Sequence, residues 1–413
     1  MAADVPKPDS RQVTFDDVLA AQKAISGMVV HTPTMRSQTL SNILGVDVWV
    51  KFENLQFTSS FKDRGACNRL LQLTPDEAAR GVIAMSAGNH AQGVAYYATR
   101  LGIPSTIVMP RYTPNVKVAG TEALGARVVL HGADIIEAKG KAEELAAAEG
   151  LVWVPPFDDP AIIAGQGTTA IEMLEDAPDI DTIVVPVGGG GLIAGMAIAA
   201  EALRPDVEVV GVETELYPSM VAALDGGATV IPGGQTVAEG IAVGVSGVLT
   251  TPIVRELVAD TLIVCESTIE HAMNLFLDIE KTVAEGAGAA GLAAVLEHPD
   301  RFRGRKVGLV LTGGNVDPRI LASVIMRGLV RSGRLARLDV DISDIPGSLA
   351  RVTTIIGELG GNIVEVAHQR LYSDLTIRSA VLELAIETRD RPHTERIITG
   401  LCDAGYHVVN RGS

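Results

Sequence analysis

A lysine beside an aromatic ring and two serines is the first feature of the sequence that could carry chemistry. Lys62 lies in the stretch FTSSFKDRGACNRL, directly behind Phe61 and at the predicted start of a helix. A lysine amine becomes a nucleophile when burial and nearby cations lower its pKa, and it then forms a Schiff base with an aldehyde. Taken alone, Lys62 also fits a solvated helix lysine, so its role depends on the other motifs.

A run of glycines is the second such feature. Gly188 to Gly191 follow the predicted strand DTIVVPV and precede the helical pattern LIAGMAIAAEALR. Successive glycines let backbone N–H groups converge, and a helix N-terminus adds positive potential. The run therefore predicts a phosphate-binding loop. A plain strand–helix turn would need one or two glycines rather than this many.

The same run supports a competing hypothesis. Gly189, Gly191 and Ala194 fit the dinucleotide pattern G-x-G-x-x-A, and Glu213 follows roughly 20 residues later. By that local rule the chain is a Rossmann oxidoreductase that binds a nicotinamide cofactor. The dinucleotide hypothesis leaves Lys62 without a role.

Polar residues stand at other boundaries between strands and helices. Ser86, Gly88 and Asn89 follow the run GVIAM, and Thr312 ends the run KVGLVL. Glu285 precedes a helix rich in glycine and alanine. Each also fits a capping or strand-end role. Together with the lysine and the glycine loop, they are the groups that a site for pyridoxal 5′-phosphate requires.

The elements that must position these residues alternate between strands and helices from about residue 46 to residue 330. The buried strands are predicted at GVIAMSAG, PSTIVMP, ARVVLHG, DTIVVPVGGGG, VEVVGVE, DTLIVCE and KVGLVLTGGN. Such alternation predicts an α/β fold with parallel sheets covered on both faces, in two layers that face each other across a cleft.

The pattern changes after Arg331. A basic linker at 331–337 precedes the order β-α-β-β-α-β over residues 338–413, which predicts an α+β ferredoxin-like module. Its segment HQRLYSDLTIRSA could form a solvated hairpin. None of the motifs above lies in this module.

Composition excludes several classes of protein. The net charge of −16 opposes binding to nucleic acid or to an acidic membrane, and with only 4% aromatic residues a stacking platform for single strands is not expected. The N-terminal stretch has no apolar core typical of a secretory signal, and no uncharged apolar run reaches about 18 residues. We therefore expect a cytoplasmic protein that binds neither nucleic acid nor membrane.

In their order and spacing, FTSSFKDRGA, SAGNHAQG, VGGGGL, AEGAGA and LTGGN resemble the motifs of the fold-type II pyridoxal-phosphate enzymes of the serine/threonine dehydratase group. DIPGSLARV and GGNIVEV resemble an ACT domain, and the combination resembles the medium-length threonine ammonia-lyases. The resemblance implies a catalytic region at 1–330 with two lobes similar to tryptophan synthase β, the smaller at about 50–155, and an ACT-like regulatory domain at 338–413.

The resemblance also implies residue roles. Lys62 would hold pyridoxal phosphate and then remove the Cα proton, Phe61 would pack near the cofactor, and Asn89 would hydrogen-bond its 3′-oxygen. Thr312 takes the place of the serine usual at the pyridine nitrogen. The implied phosphate-binding residues are Gly188, Gly189, Gly190, Gly191 and Leu192. The implied substrate-carboxylate residues are Ser86, Ala87, Gly88, Asn89 and His90. Gly240 and Glu285 are expected near the cofactor.

The implied activity is that of a carbon–nitrogen lyase. It converts L-threonine to 2-oxobutanoate and ammonia and, as a secondary activity, L-serine to pyruvate. Alternatives are a serine racemase, a hydroxy-aspartate dehydratase or a non-catalytic amino-acid sensor. Ala87 replaces a serine that racemases of this group use, which disfavours racemisation. Ser219 stands where metal-binding relatives place an aspartate after Glu213, so a metal at Glu213 is left open.

The ACT-like module implies control by an amino acid, with isoleucine expected first and valine second. The implied effector residues are Asp344, Ile345, Pro346, Gly347 and Asn362. Paired modules of this kind imply a homodimer or homotetramer. The alternative is that the module only mediates oligomerisation.

Overall fold

The chain divides into two units, Met1–Val316 and Asp317–Ser413, and the computed structural model describes residues 12–227, 231, 233–370 and 378–411. The strands of the first unit are β1 (Thr34–Arg36), β2 (Asp47–Phe52), β3 (Val82–Met85), β4 (Ser105–Met109), β5 (Arg127–Leu130), β6 (Val152–Trp153), β7 (Thr182–Pro186), β8 (Glu208–Thr214), β9 (Asp260–Val264) and β10 (Lys306–Leu311). Its helices are α1 (Phe15–Ile25), α2 (Gln38–Leu44), α3 (Lys62–Leu71), α4 (Pro75–Arg80), α5 (Asn89–Leu101), α6 (Asn115–Ala123), α7 (Ile135–Glu149), α8 (Pro160–Asp176), α9 (Gly191–Leu203), α10 (Ser219–Leu224), α11 (Thr250–Leu257), α12 (Glu266–Asp278), α13 (Gly286–Glu297) and α14 (Pro299–Phe302), with short 3-10 turns at Glu53–Leu55 and Glu239–Ile241.

The larger sheet has the strand order β1-β2-β10-β7-β8-β9. Leu309 on β10 lies opposite Val50 on β2 and Val184 on β7, and both pairings are parallel. β1 departs from the expectation of a purely parallel sheet, because it pairs antiparallel with β2. The connection at 37–46 is shorter than the dozen or more residues that a parallel crossover needs.

The smaller sheet is parallel, with the order β5-β4-β3-β6. Each of the apolar runs predicted as a strand in this unit forms one, so the prediction of an α/β fold with parallel sheets is confirmed. All residues of β4 and β7 are buried, as expected for strands covered on both faces. Strands β1 and β2 and the two-residue strand β6 were not predicted from the sequence.

Helix α8 packs directly against both α3 and α9 in the first unit. A Cβ atom on Gly165 of α8 would lie 2.7 Å from the Cα of Gly65 on α3, and one on Gly195 of α9 would lie 2.6 Å from the backbone nitrogen of Gly167 on α8. Three helices therefore touch backbone to backbone. The helices that begin at the candidate lysine and at the glycine loop are fixed against the same partner.

A buried ion network ties α3 to its surroundings. The Arg64 side chain is 0% exposed and binds Glu53 at 2.7 Å and Glu172 of α8 at 2.6 Å. Lys51 of β2 binds Glu172 as well, at 2.7 Å. Burial alone would raise the pKa of Glu53, but the charge and hydrogen bonds of Arg64, together with the Lys51 charge and the Thr32 hydroxyl, outweigh that effect and lower the pKa. Both carboxylates thus pair with buried cations.

The second unit contains α15 (Pro318–Arg331), β11 (Leu335–Ser343), α16 (Ser348–Glu358), β12 (Asn362–Gln369), β13 (Ser379–Glu387), α17 (Arg391–Asp403) and β14 (His407–Asn410). After α15 its order is the predicted β-α-β-β-α-β, and its antiparallel sheet has the order β12-β13-β11-β14. The segment predicted as a linker, 331–337, covers the end of α15 and the start of β11. The predicted hairpin falls partly on 371–377, outside the described residues.

Apolar residues on one face of this sheet form the core of the second unit with both helices of the motif. Leu382 and Leu384 of β13 are fully buried, and Val352 of α16 and Ile397 of α17 pack in the same cluster. Across the described ranges of both units, no helix is long and apolar enough to cross a membrane.

The contact between α8 and α9 predicts a stability difference between two glycine substitutions. Gly195→Ala places a methyl group against the backbone of α8 and should lower the free energy of unfolding by about 2 kcal/mol. Gly140→Ala is the matched control, because Gly140 is exposed in α7 with open space around it, and alanine should stabilise that helix by up to about 1 kcal/mol. Urea unfolding measures both. Equal stability of the two variants would show that the helix backbones can separate without cost.

Candidate active site

Lys62 is the first residue of α3, and its amine has a defined hydrogen-bond partner and a lowered pKa. Its Nζ donates a hydrogen bond to the carbonyl of Pro156 at 2.6 Å and lies 5.1 Å from the centre of the Phe61 ring. Burial lowers the pKa of Lys62 to about 8, and the charge of Glu285 opposes part of that shift. An appreciable fraction of the amine is therefore neutral, and nucleophilic, near neutral pH.

The loop before Lys62 is joined to the end of strand β10. The amide of Phe61 donates to the carbonyl of Thr312 at 3.0 Å, and the amide of Gly314 donates to the carbonyl of Ser59 at 3.0 Å. Ser59 adopts a left-handed backbone with φ +56°. These contacts bring together Phe61, Lys62 and Thr312, which the sequence analysis had assigned to one site.

The glycine loop has no room for side chains. Gly190 caps α9 with φ +91°. A Cβ atom on Gly189 would enter the ring of Phe157, and one on Gly188 would lie 3.0 Å from Val243. Glycine is therefore required by the close packing and, at Gly190, by the backbone angle. The loop leads into the N-terminus of a thirteen-residue helix, where backbone N–H groups and the helix dipole attract an anion.

The peptide groups of this loop are held from one side. The carbonyl of Gly189 accepts hydrogen bonds from the Thr250 hydroxyl at 2.7 Å and from the Gly247 amide at 3.2 Å. The side chain of Leu192 is buried in the hydrophobic core. Leu192 can therefore reach a phosphate only through its main-chain amide.

The segment after β3 contains the residues predicted to hold a substrate carboxylate. Ser86 Oγ accepts a hydrogen bond from the Gly88 amide at 3.2 Å, and α5 begins at Asn89. His90 is buried, and its Nε2 lies 2.9 Å from the carbonyl of Val154. Burial, with a further contribution from the Lys62 charge, lowers the pKa of His90 to about 3. The imidazole is neutral and its Nε2 is hydrogen-bonded to the protein backbone, so His90 can offer a ligand only its main-chain amide at the start of α5.

Asn89 makes two hydrogen bonds with residues on segments next to the larger sheet. Its Nδ2 donates to Glu285 Oε1 at 2.7 Å, and its Oδ1 accepts from Nδ2 of Asn315 at 2.9 Å. Burial raises the pKa of Glu285 to about 7. A Cβ atom on Gly240 would lie 3.3 Å from the same carboxylate oxygen. Asn89, Glu285 and Gly240 therefore lie together, and Asn315 is a member of the cluster that the sequence analysis missed.

The loop after β6 was also missed. Pro156 accepts the hydrogen bond from Lys62, and the ring of Phe157 covers the glycine loop. The carboxylate of Asp158 accepts from the amides of Val248 and Leu249 at 2.9 and 2.8 Å. Consecutive residues of one loop thus contact both the amine and the glycine loop. Its position after a parallel strand was the available signal, but that strand is too short to recognise.

Glu213 is occupied by a structural role. It is 0% exposed and accepts from the amides of Met220 at 2.7 Å and Val221 at 2.9 Å, with the Ser219 hydroxyl at 3.4 Å. Burial raises its pKa to about 7. Both carboxylate oxygens therefore serve the start of α10 rather than a ribose. Within 12–227, 231, 233–370 and 378–411, no group of three or more His, Cys, Asp or Glu residues could hold a metal ion.

The assembled groups fit pyridoxal phosphate. The structure provides an amine with a lowered pKa, a loop of glycines at a helix N-terminus and a carboxamide donor, on loops from both sheets. The amine suits the aldehyde, the loop suits the phosphate and the carboxamide suits the ring oxygen. Side chains at the glycine positions would collide with Phe157, Val243 or Met220, so the loop can offer a phosphate only its backbone groups.

Comparisons with known proteins agree with this chemistry. Residues 25–313 match the family described as pyridoxal-phosphate dependent enzyme. The chain is 45% identical over 397 residues to the L-threonine ammonia-lyase of Thermotoga maritima, covering 96% of this chain and 99% of that protein. Among solved structures, the processed form of threonine deaminase isoform 2 from Solanum lycopersicum has a TM-score of 0.72 at 33% identity, and the match covers 79% of this chain and 93% of that one. Maize serine racemase has a TM-score of 0.72 at 34% identity, and the match covers 77% of this chain and 98% of that one. These matches exclude the dinucleotide hypothesis.

The pKa of Lys62 predicts how covalent attachment of pyridoxal phosphate depends on pH. Only the neutral amine attacks an aldehyde, so the attachment rate to protein stripped of cofactor should rise with pH and level off above about 8. Visible absorbance after rapid mixing measures the rate, and Lys62→Arg is the control that should show no attachment. A rate that keeps rising towards 10.5, the ordinary value for lysine, would contradict the lowered pKa.

Proposed function

This chain belongs to the family of pyridoxal-phosphate-dependent enzymes, and we propose that it is a lyase that converts L-threonine to 2-oxobutanoate and ammonia, with L-serine as a secondary substrate that gives pyruvate. The observation that carries the proposal is the amine of Lys62, whose pKa is lowered to about 8. The amine donates to Pro156, and the next residue, Phe157, packs against the glycine loop. The 45%-identical relative named L-threonine ammonia-lyase supports the choice of substrate.

Lys62 is the residue that binds the cofactor and moves the proton. Its neutral amine would hold the cofactor through the aldehyde and, once freed by the substrate, would take up the proton from Cα. The Pro156 carbonyl, 2.6 Å from Nζ, then stabilises the protonated lysine. Pyridoxal phosphate, when bound, supplies a ring that stabilises the electron pair left on Cα.

The glycine loop and the end of β10 would hold the two ends of the cofactor. Amides from Gly188 to Leu192, at the N-terminus of α9, would donate to its phosphate. The Thr312 hydroxyl, directly after β10, would contact the pyridine nitrogen. A neutral hydroxyl would not keep that nitrogen protonated, so the bound ring would withdraw electrons weakly and favour early loss of the β-hydroxyl over transamination.

The segment from Ser86 to His90 orients the substrate. The Ser86 hydroxyl and the amides at the start of α5 bind the substrate carboxylate, because a helix N-terminus attracts anions. Binding at this position points the Cα–H bond towards Lys62, and such alignment lowers the barrier to proton removal.

Serine racemisation is the second candidate function, and the similarity to maize serine racemase favours it. Racemisation needs an acid or base on the face of Cα opposite Lys62. Racemases of this group use a serine there, but this chain has Ala87, whose side chain packs against the core of the smaller sheet. The methyl group can neither donate nor accept a proton, so the lyase is the better supported function.

The second unit is proposed to be an ACT-like regulatory domain that binds isoleucine or, less well, valine. In this proposal, residues 1–330 form the catalytic region, 331–337 the linker and 338–413 the regulatory domain. The loop from Asp344 to Gly347 joins β11 to α16, and Asn362 begins β12. Asp344 accepts a hydrogen bond from Arg370 at 3.0 Å.

Two buried polar atoms beside this loop support a ligand site. Among the described residues, Ser348 Oγ and His368 Nε2 are buried without a hydrogen-bond partner, and His368 Nε2 lies 3.9 Å from Oδ1 of Asp344. Buried polar groups are nearly always hydrogen-bonded, so their pairing by a bound amino acid would remove a cost. An aliphatic amino acid also matches the exposed side chain of Ile345.

A homodimer or homotetramer, acting in the cytoplasm, is proposed as the working form. β12 is an edge strand of the second sheet, with Val364 61% and Val366 46% exposed. An apolar edge strand is a ready surface for pairing, and a second copy would cover it.

The lyase proposal predicts 2-oxobutanoate release from L-threonine by the purified protein. Lys62→Ala should abolish release and the visible absorbance of the bound cofactor, because the variant lacks the amine that binds the cofactor aldehyde. A coupled 2-oxo acid assay and an absorbance spectrum measure the two effects. Turnover by Lys62→Ala, or no release by the natural protein, would contradict the proposal.

The regulatory proposal predicts that isoleucine suppresses this release. Asn362→Ala should raise the isoleucine concentration for half-suppression about tenfold, since one hydrogen bond to a charged group is worth on the order of 1.5 kcal/mol or more. Arg396→Ala, on the exposed side of α17, is the matched control. Each variant is compared with its own rate without isoleucine. An unchanged dose response for Asn362→Ala would place the effector elsewhere.

A further inference from the structure

The hydrogen bonds around Asn89 form a chain that begins at a backbone carbonyl. Asn315 Nδ2 donates to the carbonyl of Thr58 at 2.6 Å and to Oδ1 of Asn89 at 2.9 Å. Asn89 Nδ2 then donates to Glu285 Oε1 at 2.7 Å. The chain joins the loop before α3, the loop after β10, the start of α5 and the residue before α13.

The direction of this chain is fixed at its first member. A carbonyl oxygen can only accept, so Asn315 must turn its NH₂ group towards Thr58. The same nitrogen has a second hydrogen and reaches Asn89, which must therefore present its oxygen. This orientation of Asn89 does not depend on whether Glu285 carries a proton.

The fixed orientation determines which atom Asn89 presents as a donor. Its Nδ2 has two hydrogens, and among the described residues Glu285 is the protein acceptor for one of them. The second hydrogen is left for an incoming oxygen, while the carboxamide oxygen is turned towards Asn315. Asn89 therefore offers a ligand oxygen an N–H donor on its nitrogen side.

We propose that Asn315 is a positioning residue that fixes Asn89 as a hydrogen-bond donor to the ring oxygen of pyridoxal phosphate, an inference that rests on the proposed function. A donor at this oxygen stabilises its deprotonated form. Without Asn315 the Asn89 carboxamide can rotate by half a turn and present its oxygen to the cofactor, which would repel the deprotonated ring oxygen.

The surrounding backbone keeps Asn315 in place for this task. The amide of the preceding residue, Gly314, donates to the carbonyl of Ser59 at 3.0 Å, so the loops that carry Asn315 and Thr58 are also joined beside these hydrogen bonds. Asn89 and Asn315 are both half-buried, which limits competition from water. The hydrogen bonds from Thr58 through Asn315 to Asn89 thus connect the cofactor site to the same loop that carries Lys62.

The test is the pH titration of the visible absorbance of the bound cofactor, measured on the loaded enzyme. Asn315→Ala should raise the midpoint by about one pH unit, the size expected when an ionised oxygen loses a hydrogen bond. Asn89→Ala should raise it at least as much. The double variant should titrate where Asn89→Ala does, because Asn315 acts only through Asn89.

Additional variants separate positioning from a general structural effect. Asn315→Asp keeps the size of the side chain but cannot donate when ionised, so it should also raise the midpoint. Asn54→Ala is the matched control, because Asn54 Nδ2 ties the segment just before Glu285 at Thr282 (2.7 Å) and Val283 (3.1 Å) but does not contact Asn89. Its midpoint should equal that of the natural protein.

The outcomes distinguish this inference from the proposed function. A shift caused by Asn315→Ala that persists in the Asn89→Ala background, or an unchanged midpoint in both Asn315 variants, overturns the positioning role and leaves the lyase intact. If the natural protein gains no visible absorbance with pyridoxal phosphate and releases no 2-oxo acid from threonine, the proposed function fails, and with it the premise of the inference.

Discussion

The pairing of Arg64 with Glu53 and Glu172 is the interaction on which the arrangement of the site depends. It fixes α3 two residues after Lys62, and removing one partner from a buried ion pair costs on the order of 3–5 kcal/mol. The two carboxylates raise the pKa of Arg64, whereas burial lowers that of Lys62. The same helix turn thus carries one cation that is permanently charged and structural and one amine that is left reactive.

One geometric rule gathers the rest of the site. Segments 86–90, 156–159, 188–191 and 312–315 each follow the carboxyl end of a parallel strand, in β3, β6, β7 and β10 respectively. Loops at the carboxyl edge of parallel sheets face a common crevice. The hydrogen bonds of Asn89 with Glu285 and with Asn315 show that loops from the two sheets meet.

The sequence predicted the features whose cause is local. Continuous apolar runs identify buried strands, and a run of glycines ahead of a helix has few other uses, so these elements were foreseen. Strand β6 has two residues and no pattern, and the loop that follows it was missed with it. Strand β1 has only three residues and shows no pattern of its own, and the role of Asn315 depends on a partner distant along the chain. Asn315 and Asn89 are separated by 226 positions, and no spacing rule connects them.

The glycine contacts of α8 also determine which parts of the site can move. Backbones in direct contact leave no side chain that could change its rotamer, so α3, α8 and α9 behave as one rigid body. We therefore expect the distance from Lys62 to the glycine loop to stay constant. We expect the loop after β3, rather than these helices, to adapt to substrates of different length. Differences in substrate preference among relatives with this frame should accordingly map to that loop rather than to the helices.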